Sequence, residues 1–231
     1  MIRLENVSKK FQSGKVWINA LDNVSLNIDK GEFVLFKGPS GSGKSTLLNI
    51  IGCLTRVTKG SYWLDNQEVS HWPDHFLSSI RTEKIGFIFQ QFNLITGYSA
   101  WENVAVPLLP LGLVKKERRE KALTLLETLH IETRADFMAQ ELSGGQQQLV
   151  AIARALINEP DIILADEPLS NIDIKHAENF IQILNQFKTQ GKTIILTSHL
   201  SSKIDQLAHR TIYFDSGKIE PHPNFLGTWT N

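Results

Sequence analysis

The 231-residue chain is 42% hydrophobic and 21% charged, with zero formal net charge and one cysteine. That length suits one α/β domain with room for a small inserted subdomain. The charge balance removes the broad electrostatic case for nucleic acid as a partner, Cys53 alone excludes an internal disulfide and points to a reducing cytosol, and no stretch approaches the ~20 apolar residues of a membrane span.

Residues 2–7 alternate and read as an edge strand; Arg3 and Glu5 within it argue against a signal peptide. Residues 9–14 read as a turn and 17–28 as a second alternating strand, so the N-terminal part is expected to be antiparallel. Residues 32–36, Glu32 followed by four apolar residues, are expected as a buried strand, followed by a glycine-rich loop and a helix. Residues 60–67 read as a strand ending in a turn, 74–82 as a short helix, and 85–89 as an apolar strand that stops at Gln90. Residues 91–112 are rich in Pro, Gly and aromatics and suggest irregular structure. Ala122, Leu125, Leu126 and Leu129 have helical spacing within 115–129, and another helix starts at Ser143 and runs to about Ala155. The uninterrupted apolar runs 162–165 and 193–197 suit strands buried on both faces of a parallel sheet. A helix over 174–189 would join them as a βαβ crossover. Residues 211–214 and 216–219 read as a hairpin. The expected class is α/β: a mostly parallel core sheet, an N-terminal antiparallel β subdomain, and a helical subdomain over approximately 91–155 inserted in the core.

Gly38-Pro39-Ser40-Gly41-Ser42-Gly43-Lys44-Ser45 fits G-x-x-x-x-G-K-[ST], and Thr46 continues it into a helix. The glycines let backbone N–H groups converge on one anion, and the helix aims its positive end at the same point. Lys44 adds a full charge for the outer phosphates, and the Ser45 hydroxyl is placed to bind Mg²⁺. Such a loop needs a second element for the metal. Asp166 ends the apolar run 162–165 where a strand's carboxyl end would lie, the usual ligand position in open α/β sheets. It would hold the Mg²⁺ through water, while Glu167 would polarise an attacking water. Alone, Asp166-Glu167-Pro168 also reads as a strand-ending turn. Ser143 can cap the helix after it, and Gly144 and Gly145 leave backbone N–H groups unobstructed. Alone this is equally a flexible turn; beside the phosphate loop it is a second phosphate-binding helix start with only one nucleotide to serve.

Leu142-Ser143-Gly144-Gly145-Gln146-Gln147-Gln148, with the phosphate loop and Asp166-Glu167, resembles the signature of the ATP-binding-cassette (ABC) ATPases. The resemblance spans nearly the whole chain, 1–231. It implies a P-loop NTPase fold of the ABC type, ATP and Mg²⁺ as ligands, ATP hydrolysis, and a homodimer in the ATP-bound state. There, Ser143, Gly144, Gly145 and Gln146 of one subunit would close over ATP held by the other's phosphate loop. It further implies that Phe11 stacks on adenine, its alternative being to pack beneath the first strand. Gln90 would meet the Mg²⁺ and the attacking water, with Gln91 the second candidate. Asp173, in Ser170-Asn171-Ile172-Asp173, would cross the dimer interface, and His199 would contact the γ-phosphate. Leu149 departs from the family, which usually has Arg there, and puts a charged contact of the signature helix in question.

Within the family, residues 89–94, 101–104 and 145–148 resemble the stand-alone ATPases of the lipoprotein-release and macrolide/peptide-efflux branch. Such proteins pair with an integral membrane permease, which places them in the cytoplasm, peripheral on the inner face of the cell membrane. Three rival readings differ in class. A P-loop kinase would have no use for Ser143-Gly144-Gly145. A soluble ABC ATPase would carry coiled-coil or zinc insertions. A division-type complex would turn over ATP and transport nothing. The transported molecule is selected by the permease, not by this chain.

Overall fold

A computed structural model describes residues 1–169, 174–198 and 204–221, with 174–176 described by backbone alone. In chain order the elements are β1 (Ile2–Ser13), β2 (Val16–Ile28), β3 (Phe33–Lys37), α1 (Lys44–Ile51), β4 (Lys59–Leu64), β5 (Gln67–Glu68), α2 (Asp74–Lys84), β6 (Ile85–Ile88), α3 (Ala100–Ala105), α4 (Lys115–Thr128), α5 (Gly144–Leu156), β7 (Ile162–Asp166), α6 (Ile174–Thr189), β8 (Thr193–Thr197), β9 (Arg210–Asp215) and β10 (Lys218–Glu220). They form a four-stranded antiparallel sheet in the order β2-β1-β4-β5 and a six-stranded sheet in the order β10-β9-β3-β8-β7-β6. Within the larger sheet every pairing is parallel except β10 with β9.

The apolar runs explain the larger sheet. Side chains on a strand alternate between faces, and here both faces are covered. Phe33, Leu35, Ile163, Ala165, Ile194 and Leu196 join one core, which continues into α3, α4 and α5. Val34, Phe36, Ile162, Leu164 and Ile195 join the other, which is closed by α1 and the antiparallel sheet. A strand buried on both sides offers solvent to neither face, hence the near-continuous hydrophobic spelling between polar ends such as Thr193 and Thr197. In β1 and β2 one face meets solvent, and burial instead alternates through Ile2, Leu4, Leu26 and Ile28.

Two expectations are corrected and a third is extended. The turn expected at 9–14 is strand: β1 runs to Ser13, and the reversal sits at Gly14, whose φ is +61°. Register shifts between Val7 and Lys9, and between Lys9 and Lys10, break the alternation that marks a strand. Residues 91–112 are not irregular throughout. Ser99 and Glu102 make a reciprocal capping box that starts α3, and a 3₁₀ segment, Val106–Leu111, follows through Pro107 and Pro110. The terminal hairpin exists, but β9 also pairs parallel with β3 and so extends the central sheet.

Candidate active site

The carboxyl ends of β3, β8 and β7 lie side by side, with Thr197 opposite both Phe36 and Asp166. From β3 the chain turns through Gly38 to Gly43 and enters α1. Two of these glycines are obligatory. A Cβ on Gly38 (φ +146°) would lie 2.0 Å from the Phe214 carbonyl oxygen, and one on Gly43 (φ +104°) would lie 2.5 Å from that of Ala20. Gly43 is also the N-cap of α1, and no side chain caps it. The first N–H groups of α1 are therefore left to an anion.

Lys44 is 4% exposed, and its Nζ donates to the carbonyls of Gly38 and Pro39 at 2.9 Å each. Burial lowers its pKa; the carboxylates of Glu167 and Asp166 oppose that shift. Behind it runs a polar network. Asp166 Oδ1 accepts from Ser45 Oγ at 3.0 Å and from Thr197 Oγ1 at 2.6 Å. Thr197 Oγ1 in turn accepts from the Glu167 N–H at 2.8 Å. Gln90 Nε2 donates to Glu167 Oε2 at 3.1 Å, across the adjacent strands β6 and β7. Glu167 has φ +44°, a left-handed backbone rare outside glycine. Thus Ser45, Gln90, Asp166 and Glu167, read separately from the sequence, converge in space. Gln90, rather than Gln91, is the glutamine that reaches Glu167.

Thr197 escaped the sequence reading. It is fully buried, and its hydroxyl links the two acids. The available signal was a hydroxyl ending an otherwise apolar run, but its register against Asp166 cannot be read from spacing.

The oxygen set suits a hard divalent cation. Among the described residues no group of three or more His, Cys, Asp or Glu could hold a metal. Ser45 and Asp166 alone supply too few ligands, so the cation's remaining sites would go to phosphate and water.

Phe11 is 42% exposed, with Lys9 Nζ 4.9 Å from its ring centroid. The alternative in which it packs beneath the strand is therefore not observed. It pairs with Ile18 on β2, the strand whose Ala20 abuts Gly43, so an open ring face lies on the hairpin that reaches the phosphate loop. Ser143 caps α5: its Oγ accepts from the Gln146 N–H at 3.4 Å, and its own N–H donates to Gln146 Oε1 at 3.0 Å. The structure does not join Ser143 or Gln146 to the phosphate-loop network. Leu149 is buried in the helical core, where an apolar residue is matched to its surroundings and makes no charged contact. Asp173 and His199 lie outside the described residues.

A glycine loop feeding an uncapped helix, beside acids at the carboxyl ends of parallel strands, defines a P-loop nucleotide-binding protein. The family profile described as ABC transporter matches residues 21–170. The chain is 46% identical to the ABC transporter ATP-binding protein MJ0796 of Methanocaldococcus jannaschii, over 98% of each. It is 44% identical to YknY of Bacillus subtilis, over 96% of each. It is 45% identical to the macrolide export ATP-binding/permease protein MacB of Hyphomonas neptunium, over 95% of this chain but 34% of that one. It superposes with TM-score 0.90 on a dimeric, post-hydrolysis state of MJ0796 bound to ADP and Pi, covering 96% and 97% of the two chains at 46% identity. The chain belongs to the ABC transporter ATP-binding family: it is an ATP-binding cassette and an ATPase. No helix among the described residues is long and apolar enough to cross a membrane.

Proposed function

We propose that this cassette hydrolyses ATP within a head-to-tail homodimer and drives a separate membrane permease of the export type. The observation that carries the reading is the bonded network Ser45–Asp166–Thr197–Glu167–Gln90 beneath the phosphate loop.

Phosphoryl transfer asks a protein for placement and charge neutralisation rather than covalent chemistry. Gly38 to Gly43 and the first N–H groups of α1 cradle the phosphates. Lys44 leaves its two carbonyl acceptors and turns its charge to the outer phosphates. Ser45 and Asp166 would hold Mg²⁺, which when bound would offset the charge of the phosphate oxygens. Glu167 takes a proton from the attacking water, and Gln90 fixes the Glu167 carboxylate while it does so. Phe11 offers its exposed face to the adenine; stacking of a base on an aromatic is worth ~1–3 kcal/mol. His199 and Asp173 are assigned to the γ-phosphate and the dimer interface by family resemblance.

Two facts support the dimer. Ser143, Gly144, Gly145 and Gln146 form a second helix start that bonds within itself rather than to this chain's phosphate loop. The MJ0796 structures are described as dimeric. The permease reading is supported by MacB, in which a similar sequence occurs within a longer ATP-binding/permease chain. It is also supported by Tyr98 and Leu109, which are exposed and line one shallow depression with Trp101 beside α3 and α4. Such a partner places the cassette in the cytoplasm against the inner face of the membrane. We take 1–231 as one ABC ATPase domain with its helical subdomain at approximately 91–155.

Glu167→Gln tests the assignment. Hydrolysis should fall by about two orders of magnitude or more while ATP still binds. Parental turnover would remove Glu167 from the reaction.

A further inference from the structure

Arg154 lies about three turns along α5 from Ser143. Its Nη1 donates to the Asn93 carbonyl and its Nη2 to the Phe92 carbonyl, both at 2.6 Å. Burial lowers its pKa, yet a guanidinium stays charged at any working pH. A planar fork gripping two successive carbonyls fixes their orientation as a point charge cannot. The gripped residues are unusual: Phe92 and Asn93 both have positive φ, +52° and +49°, in a tight reversal directly after Gln90 and Gln91. Asn tolerates a left-handed backbone, but Phe has no side-chain polar group to favour one, so Phe92 is held there by its surroundings.

The same segment is held further along. Asn103 of α3 is fully buried; its side-chain oxygen accepts from the Ile95 N–H at 2.6 Å. Its amide donates to the carbonyls of Ile95, Tyr98 and Ser99 at 3.1–3.3 Å. Residues 92–99 are thus bonded into α5 and α3, both of the helical layer. Gln90, just upstream, donates to Glu167 at the end of a core strand.

We infer that Arg154 is a positioning residue that, through Phe92 and Asn93, sets where Gln90 meets Glu167. The helix carrying the signature is in this way tied to the catalytic centre of its own chain. The inference rests on the roles given above to Gln90 and Glu167.

A double-mutant cycle on the full chain tests it: Gln90→Ala, Arg154→Met and the double variant, with steady-state ATPase and thermal midpoint measured for each. The expected result is a fall in kcat of at least tenfold for each single variant, with KM for ATP changed less than about threefold, and a double variant within about twofold of Gln90→Ala. Arg154→Lys, which keeps the charge and loses the fork, should also be slow; it replaces Arg154→Met in the cycle if the latter does not fold. Parental kcat for the Arg154 variant, or losses that multiply in the double variant, would overturn the inference. Parental kcat for Gln90→Ala would overturn the site assignment beneath it, and this inference with it.

Discussion

Gly38 and Thr197 show how single residues carry the site. Gly38→Ala would drive a methyl group into the Phe214 carbonyl at 2.0 Å while holding a left-handed φ. The expected cost is about 2–3 kcal/mol, with loss of nucleotide binding, read by denaturant midpoint and by calorimetry with ATP. Thr197→Val keeps shape and removes the hydroxyl shared by Asp166 and the Glu167 N–H. It should lower stability by about 1–3 kcal/mol and reduce turnover, whereas Thr197→Ser should restore most of both. Full activity in the valine variant would make the hydroxyl incidental. Cys53 is buried, which pushes its thiol pKa up to about 11 from 9.0. It therefore stays protonated in the folded chain at neutral pH, and a maleimide should label it no faster than the protein unfolds. A pKa raised in this way contributes stability that is present below pH 9.0 and lost as pH rises toward 11.

Among elements, α3 is the most informative, because it lies where composition argued for loop. Ser99→Ala removes its cap and should cost about 1 kcal/mol. Amide exchange should rise over 99–105, leaving the central strands unchanged; uniform protection would show that tertiary packing alone holds the helix. The capping box Ser99-x-x-Glu102 is a local helix signal, but the Pro- and Gly-rich composition around it reads as loop. By contrast β3, β7, β8 and α6 were readable because each rests on a local pattern: a continuous apolar run, or helical spacing between two such runs. β1 was read short because its bulges shift the alternation on which the reading depends. The parallel pairing of β9 with β3 was hidden for another reason: it joins strands more than a hundred residues apart, and nothing local encodes a partner. The same division holds in the site. The phosphate loop and Asp166-Glu167 are contiguous spellings with a mechanism behind them. Gln90 meets Glu167 only because β6 lies beside β7, and Thr197 meets Asp166 only because of the β7–β8 register.

For the whole molecule, the decisive asymmetry is between two helix starts. That of α1 is uncapped and continues the phosphate loop; that of α5 is capped by Ser143, which bonds to Gln146 of its own helix start. In the head-to-tail pair proposed above, ATP joins the two between copies, and the nucleotide is a removable link whose loss on hydrolysis reopens the pair. Without nucleotide the 26.1 kDa chain should therefore be monomeric. The most direct measurement is light scattering of Glu167→Gln on a sizing column, with and without ATP. The account predicts a particle of twice the chain mass with ATP, a return to monomer when ATP is withdrawn, and failure to pair when Gly144→Arg is added. A Glu167→Gln chain that binds ATP yet stays monomeric, or that pairs equally well with Gly144→Arg, would contradict it.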